Sequence, residues 1–101
     1  MTAAETPVHL RDAVPGDGAA IHALVHALAT YEREPDAVEA TPEGYDQQLA
    51  AEVPPFACVL AELPGIGAVG FALTFRTYST WKGRPGTWLE DFFVVPAARG
   101  R

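Results

Sequence analysis

Two acids stand side by side inside an aromatic run, Trp88-Leu89-Glu90-Asp91-Phe92-Phe93-Val94-Val95. Adjacent carboxylates in such company are costly unless each finds a partner. In an extended strand, neighbouring side chains point to opposite faces, so one of the two is placed to face a pocket and receive a cation. The plainer alternative has one acid reaching solvent at a strand end and the other paired with an arginine. Just downstream, Pro96 is followed by Arg99, Gly100 and Arg101. A strand running into that turn offers backbone N–H groups to a phosphate, aided by the N-terminus of a following helix, although a simple surface turn has the same composition. A third candidate lies upstream. Ile21, Leu24, Val25 and Leu28 repeat along one helical face, and continuing that stripe reaches Tyr31 and Glu32. An acid near a helix C-terminus opposes the dipole, which points to a ligand for Glu32.

Other reactive residue types carry less. His22 and His26 have the spacing of a metal-binding pair on a helix, but neither a third ligand nor a His-Glu-x-x-His acid accompanies them, so no metal is expected. Cys58 has no basic neighbour to activate it and reads as a core thiol. Trp81 and Trp88 read as packing residues, Trp81 less securely because it lies in a Gly/Pro-rich stretch.

The chain that must position these groups has 101 residues, enough for one domain with a modest core. Its composition is 49% hydrophobic and 20% charged, as in globular domains. A net charge of -6 argues against nucleic acid as a partner, since displacing phosphate counterions needs a basic patch; cationic ligands suit it better. With Cys58 as the only cysteine no internal disulfide can form, and a free thiol fits the reducing cytoplasm. No apolar run approaches the roughly 20 residues of a membrane span. Met1 to Pro7 has neither a basic start nor an apolar signal core, so neither membrane insertion nor export is expected.

Val8 to Ala13 alternates like a strand, and Pro15, Gly16 and Asp17 form a turn ending in a helix cap, followed by a helix from Asp17 to Glu32. Residues 33–40, with Pro35, read as a loop. Thr41, Pro42 and Glu43 start a second helix whose inward face is Tyr45 and Leu49, ended by Pro54 and Pro55. Phe56 to Leu60 is an apolar strand, joined by a turn around Pro64, Gly65 and Gly67 to a second with Val69, Phe71, Leu73 and Phe75 on one face. Tyr78 to Thr87, containing Gly83, Pro85 and Gly86, reads as a loop, and Trp88 to Val95 as the next strand. The order is strand, helix, helix, then three strands, an α+β domain with a mostly antiparallel sheet and a further helix implied after Arg101.

Three segments resemble the GNAT superfamily of acetyl-CoA-dependent N-acetyltransferases, and its diamine (spermidine/spermine) branch in particular: Ala29-Thr30-Tyr31-Glu32, Val69 to Leu73, and above all Leu89 to Val94 followed by Arg99-Gly100. The resemblance runs from Val8 to Arg101. It implies the N-terminal part of that fold over residues 1–101, stopping inside the acetyl-CoA loop, of whose Arg/Gln-x-x-Gly-x-Gly/Ala pattern Arg99, Gly100 and Arg101 match the start. By resemblance, Phe92, Phe93 and Val94 would run beside the pantetheine arm, Arg99, Gly100 and Arg101 would begin the pyrophosphate cradle, and Tyr31, Glu32 and Glu90 would contact the amine. It also implies direct attack of a neutral amine on the thioester. An alkylammonium of pKa about 10.4 is neutral in about one molecule in a few thousand at pH 7, so Glu90, directly or through water, would take the proton. Polyamine-specific members carry Tyr-Asp-Pro-Trp where this chain has Tyr78-Ser79-Thr80-Trp81, which leaves a diamine or a lysine-like amino acid as suitable as a polyamine. A GNAT acting on protein amines, and a non-catalytic binding or dimerisation piece, are the rival readings. These 101 residues alone are expected to be inactive, because the family's acid tyrosine and the rest of the loop are not among them. Their last strand would present an unpaired edge and favour a homodimer.

Overall fold

The computed structural model describes residues 7–100. Its elements are β1 (His9–Asp12), α1 (Gly18–Tyr31), α2 (Pro42–Leu49), β2 (Ala57–Leu63), β3 (Gly67–Ser79) and β4 (Arg84–Val94), with 3-10 turns at Pro35–Ala37 and Pro96–Ala98. The strands form one antiparallel sheet in the order β1-β2-β3-β4. Short turns join β2 to β3 and β3 to β4, whereas both helices are inserted between β1 and β2.

One row of pairs shows how the sequence pattern becomes a core. Leu60 lies opposite Phe71, and Phe71 opposite Phe93, so the three share a sheet face. Ile21 and Leu24 of α1 close over that row, and Cys58 completes the buried cluster. Ile21 and Leu60 are fully buried, and removing each such side chain from water contributes about 1.5–3 kcal/mol. The opposite face carries Leu10, Val59 and Phe92, all exposed.

Asp17 does not cap α1 with its side chain. Its carboxylate instead accepts both terminal nitrogens of Arg11, at 2.8 and 2.7 Å, and the Val14 N–H. The cap comes from α2: Asp46 Oδ1 accepts the N–H groups of Gly16 and Gly18 at 2.8 and 2.7 Å. The helices approach so closely here that a Cβ on Gly18 would run into the Pro42 carbonyl. Thr41 caps α2, its hydroxyl accepting the Gly44 N–H at 3.0 Å.

The expected loop over 78–87 is mostly ladder. Tyr78 pairs with Pro85 and Thr77 with Gly86, leaving residues 80–83 as the turn, with Gly83 at φ 67°. Pro85 fits because β4 lies at the edge of the sheet among the described residues, where a missing N–H costs no ladder bond. Strict alternation also fails along β4. Leu73 pairs with Asp91 but Thr74 pairs with Leu89, so Glu90 is an extra residue, a β-bulge. No helix among the described residues is long and apolar enough to cross a membrane.

Candidate active site

Where α1 ends beside β4, a cleft of about 360 Å3 is lined by Tyr31, Glu32, Phe92, Phe93, Val94 and Arg99, with Leu28 at its base. Tyr31 and Glu32 reach it because α1 stops there abruptly. Arg33 adopts φ 63°, a left-handed conformation, and the N–H groups of Arg33 and Glu34 turn back to the carbonyls of Thr30 and Ala29 at 3.0 and 2.7 Å. This is a Schellman closure with arginine where glycine is usual. The helix face thus continues in a phenol and a carboxylate and goes no further.

From the other side, Phe93 is buried and its ring lies 5.9 Å from that of Tyr31. Arg99 ties the two together. Its guanidinium sits 4.9 Å from the Tyr31 ring centre and 5.4 Å from that of Phe93, while its Nε donates to the Val94 carbonyl at 2.8 Å. Cation–π contacts of this kind contribute about 0.5–1 kcal/mol at exposed sites. One face of Tyr31 is therefore already covered by a cation. Gly100 follows at φ 83°, a conformation other residues rarely adopt; Arg101 lies outside the described residues.

The structure brings six of the anticipated site residues around one cleft and sets Glu90 apart. Glu90 is exposed at the bulge and does not line the cleft. Asp91 is half-buried on the face of Phe93 and Leu73, and its carboxyl is held above the usual range by burial, then by the charges of Glu90 and Glu32. Tyr45 of α2 is raised by burial and by Asp91. Neither Asp91 nor Tyr45 was singled out as a site group by residue type and spacing. The signal for Asp91 is the bulge, which composition does not carry. Burial pushes the Cys58 thiol up to about 11, leaving it protonated and inert at neutral pH.

No family model matches the chain. A thialysine N-epsilon-acetyltransferase from Bos taurus is 37% identical over 101 residues, 93% of this chain and 59% of that protein. A spermidine/spermine N(1)-acetyltransferase-like protein 1 from Homo sapiens is 35% identical over 97 residues, 90% of this chain and 14% of that protein. In sequence the chain is similar to N-acetyltransferases over about 59% of the bovine protein's length, and its fold is that of the N-terminal part of the GNAT acetyltransferases. Among solved structures, an aminoglycoside acetyltransferase from an uncultured soil metagenomic sample, in complex with sisomicin, superposes with TM-score 0.72 at 13% identity, over 93% of this chain and 60% of that one. A ribosomal-protein-alanine N-acetyltransferase from Brucella melitensis gives 0.68 at 16% identity, over 94% and 61%. These two likenesses concern the fold alone. The chain spans about 59% of the length of the thialysine acetyltransferase it matches.

Proposed function

We propose that these residues belong to an enzyme that transfers an acetyl group from acetyl-CoA to the amine of a small cationic substrate, a diamine, a polyamine or a lysine-like amino acid. The observation carrying this reading is the convergence of Tyr31, Glu32, Phe92, Phe93, Val94 and Arg99 on one cleft, together with relatives named for thialysine and spermidine/spermine. The chain's residues fit the donor. β4 pairs on one side only among the described residues, so backbone groups of Phe92 to Val94 are available to amides of a pantetheine arm, and the turn at Gly100 presents N–H groups toward phosphate. When bound, acetyl-CoA supplies the activated acyl group.

The protein's own part is to attract, orient and deprotonate the amine. Glu32 holds an ammonium at the cleft, and the acids crowded on residues 32–52 raise its local concentration. The proton leaves toward the Glu90–Asp91 pair. We assign the transfer to Glu90, which is exposed outside the cleft and would take the proton through water, with the half-buried Asp91 beside it setting the local field.

The chain is further read as a homodimer, supported by its open β4 edge, and as a protein of a reducing compartment, supported by the buried free thiol of Cys58. Because the 101 residues cover 59% of the relative's length, they are expected to show no turnover by themselves.

The binding half of the proposal is testable on this chain. Titration with a diamine, followed by NMR, should move the amide signals of Tyr31, Glu32 and Phe93, and Glu32→Gln should weaken binding about tenfold, the loss of one charge-assisted contact. Equal shifts with a neutral diol would overturn the cationic-substrate reading. Steady acetylation of diamines by the 101-residue chain would overturn the expectation of inactivity.

A further inference from the structure

β3 outruns β2. Ala57, the first residue of β2, pairs with Thr74, whereas β3 continues to Ser79 beside β4 alone, so the far part of the β3–β4 hairpin projects as an arm. Where β2 and β3 part, residues 53–57 stand off from the base of the arm and leave a cavity of about 590 Å3, within the range of small-molecule sites. The sequence accounts for its position. Pro54 and Pro55 have no N–H to offer β3, so the ladder is not carried back beyond Ala57, and two linked prolines hold that wall in place at little entropic cost.

Most of the lining is apolar: Val53, Pro54, Pro55, Phe56 and Phe75. Val53 is 83% exposed and Phe75 36%, surface that a ligand would remove from water. Thr74, Arg76 and Thr87 supply the polar groups. Arg76 lies directly opposite Thr87, and Thr74 stands two residues before Arg76, so the three share one face of the hairpin. Phe75, on the opposite face, lines the same cavity across the open edge of β3. No acid lines the cavity, Glu52 beside Val53 included, and residues 63–89 contain none. Among the described residues both ion pairs are made by Arg11, which leaves Arg76 without an anion.

We propose that this cavity binds a small molecule with an apolar body and one carboxylate, the carboxylate on Arg76 and the two threonine hydroxyls, the body against Phe56, Phe75 and the proline wall. An arginine fork matches a carboxylate in a bidentate pair, and hydroxyls donate to its remaining lone pairs. One cation suits one negative charge. A polyanion would approach a chain of net charge -6 with a single arginine to meet it, and an amine would be repelled by that arginine. The cavity shares no lining residue with the Tyr31–Arg99 cleft, and the inference does not rest on the acetyl-transfer reading.

Titration of the 101-residue chain with hexanoate and with phenylpropionate at neutral pH, followed by NMR, tests it. Both acids should move the amide signals of Ala57, Thr74, Arg76 and Thr87 saturably while those of Tyr31 and Phe93 hold still, and the tighter of the two identifies the body as aliphatic or aromatic. Hexylamine, hexanol and acetate each lack the charge or the body and should bind at least about tenfold more weakly. Arg76→Gln should weaken hexanoate binding about ten- to a hundredfold, the worth of a hydrogen-bonded charge pair, with circular dichroism unchanged because Arg76 is exposed. Arg76→Lys should recover part of that loss, keeping the charge without the fork. Equal binding of hexylamine or hexanol, or indifference to Arg76→Gln, overturns the inference. So does the absence of saturable shifts with either acid, and so do shifts centred on Tyr31 and Phe93 instead.

Discussion

Phe93 and Trp88 lie on the same strand and face the same side of the sheet, opposite Phe71 and Phe75, yet Phe93 is 4% exposed and Trp88 57%. Between them is the bulge at Glu90. On one side of it β4 is body, packed under α1 and forming the wall of the cleft. On the other side it is arm, with nothing above it among the described residues. Counting residues alone, positions 88 and 93 would fall on opposite faces; the extra residue restores them to one. The bulge therefore separates the part of β4 that holds the fold together from the part that projects, and it sets the two acids apart, Asp91 half-buried and Glu90 in solvent.

The largest test of this contrast is a matched pair of truncations. Phe93→Ala should cost about 3–5 kcal/mol, the usual cost of emptying a buried aromatic site. That is a large fraction of what a small domain has. Trp88→Ala should fall within about 0.5 kcal/mol in the isolated monomer. Urea unfolding with an unchanged m-value checks both. Comparable losses at the two positions would mean that the arm is packed after all.

Removing the bulge comes next. Deleting Glu90 joins Leu89 directly to Asp91, so Thr74–Leu89 and Leu73–Asp91 become consecutive pairs of one regular ladder and Trp88 stays opposite Phe75. The stability change is expected to stay within about 1 kcal/mol, an ordinary value for a single change, because no buried residue is displaced. The sharper readout is structural: the contact between Trp88 and Phe75 should persist in NOE spectra while the amide signals around Asp91 shift and those of Leu60 and Phe71 hold. Loss of the Trp88–Phe75 contact would show that the register of the arm depends on the bulge.

The same contrast explains what the sequence could disclose. α1, α2 and the inner ends of β2, β3 and β4 were legible because one face of each is buried, and burial leaves a period in the residues: Ile21, Leu24 and Leu28 on the helix, Val69, Phe71 and Leu73 on the strand. The arm has no buried face, so Pro85 and Gly86 looked like loop when they are edge strand. Asp17 was legible as a cap by residue type, but Arg11 claims it and Asp46 caps in its place, an exchange fixed by tertiary packing. Tyr31, Glu32 and Arg99 stood out by type and position. That they meet around one cleft needed the fold, and the bulge that distinguishes Asp91 from Glu90 is one inserted residue with no compositional mark.

The smallest expected effect concerns that distinction. Asp91 holds its proton more tightly in the folded chain than its ordinary value of 3.8, so the native state binds more protons than the unfolded one as the pH rises from 3.8 through the raised folded value. Stability from this group is thus present in acid and lost on going up through that window. Asp17 does the opposite: its pKa is lowered by Arg11, and its contribution is present above 3.8 and lost as the pH falls through the folded value. The pH profile of the parent protein mixes the two, and only a difference isolates one. Asp91→Asn cannot titrate there, so its stability relative to the parent should climb as pH rises through the Asp91 window and then level off. Because Asp91 is only half-buried and solvent still screens it, the whole climb should stay within about 0.5 kcal/mol, the range of surface substitutions. Glu90→Gln, on the bare side of the bulge, should show a smaller slope, since it relieves one of the charges acting on Asp91 and leaves the Asp91 carboxyl in place. Equal slopes for the two variants would mean that the bulge does not separate a half-buried acid from an exposed one.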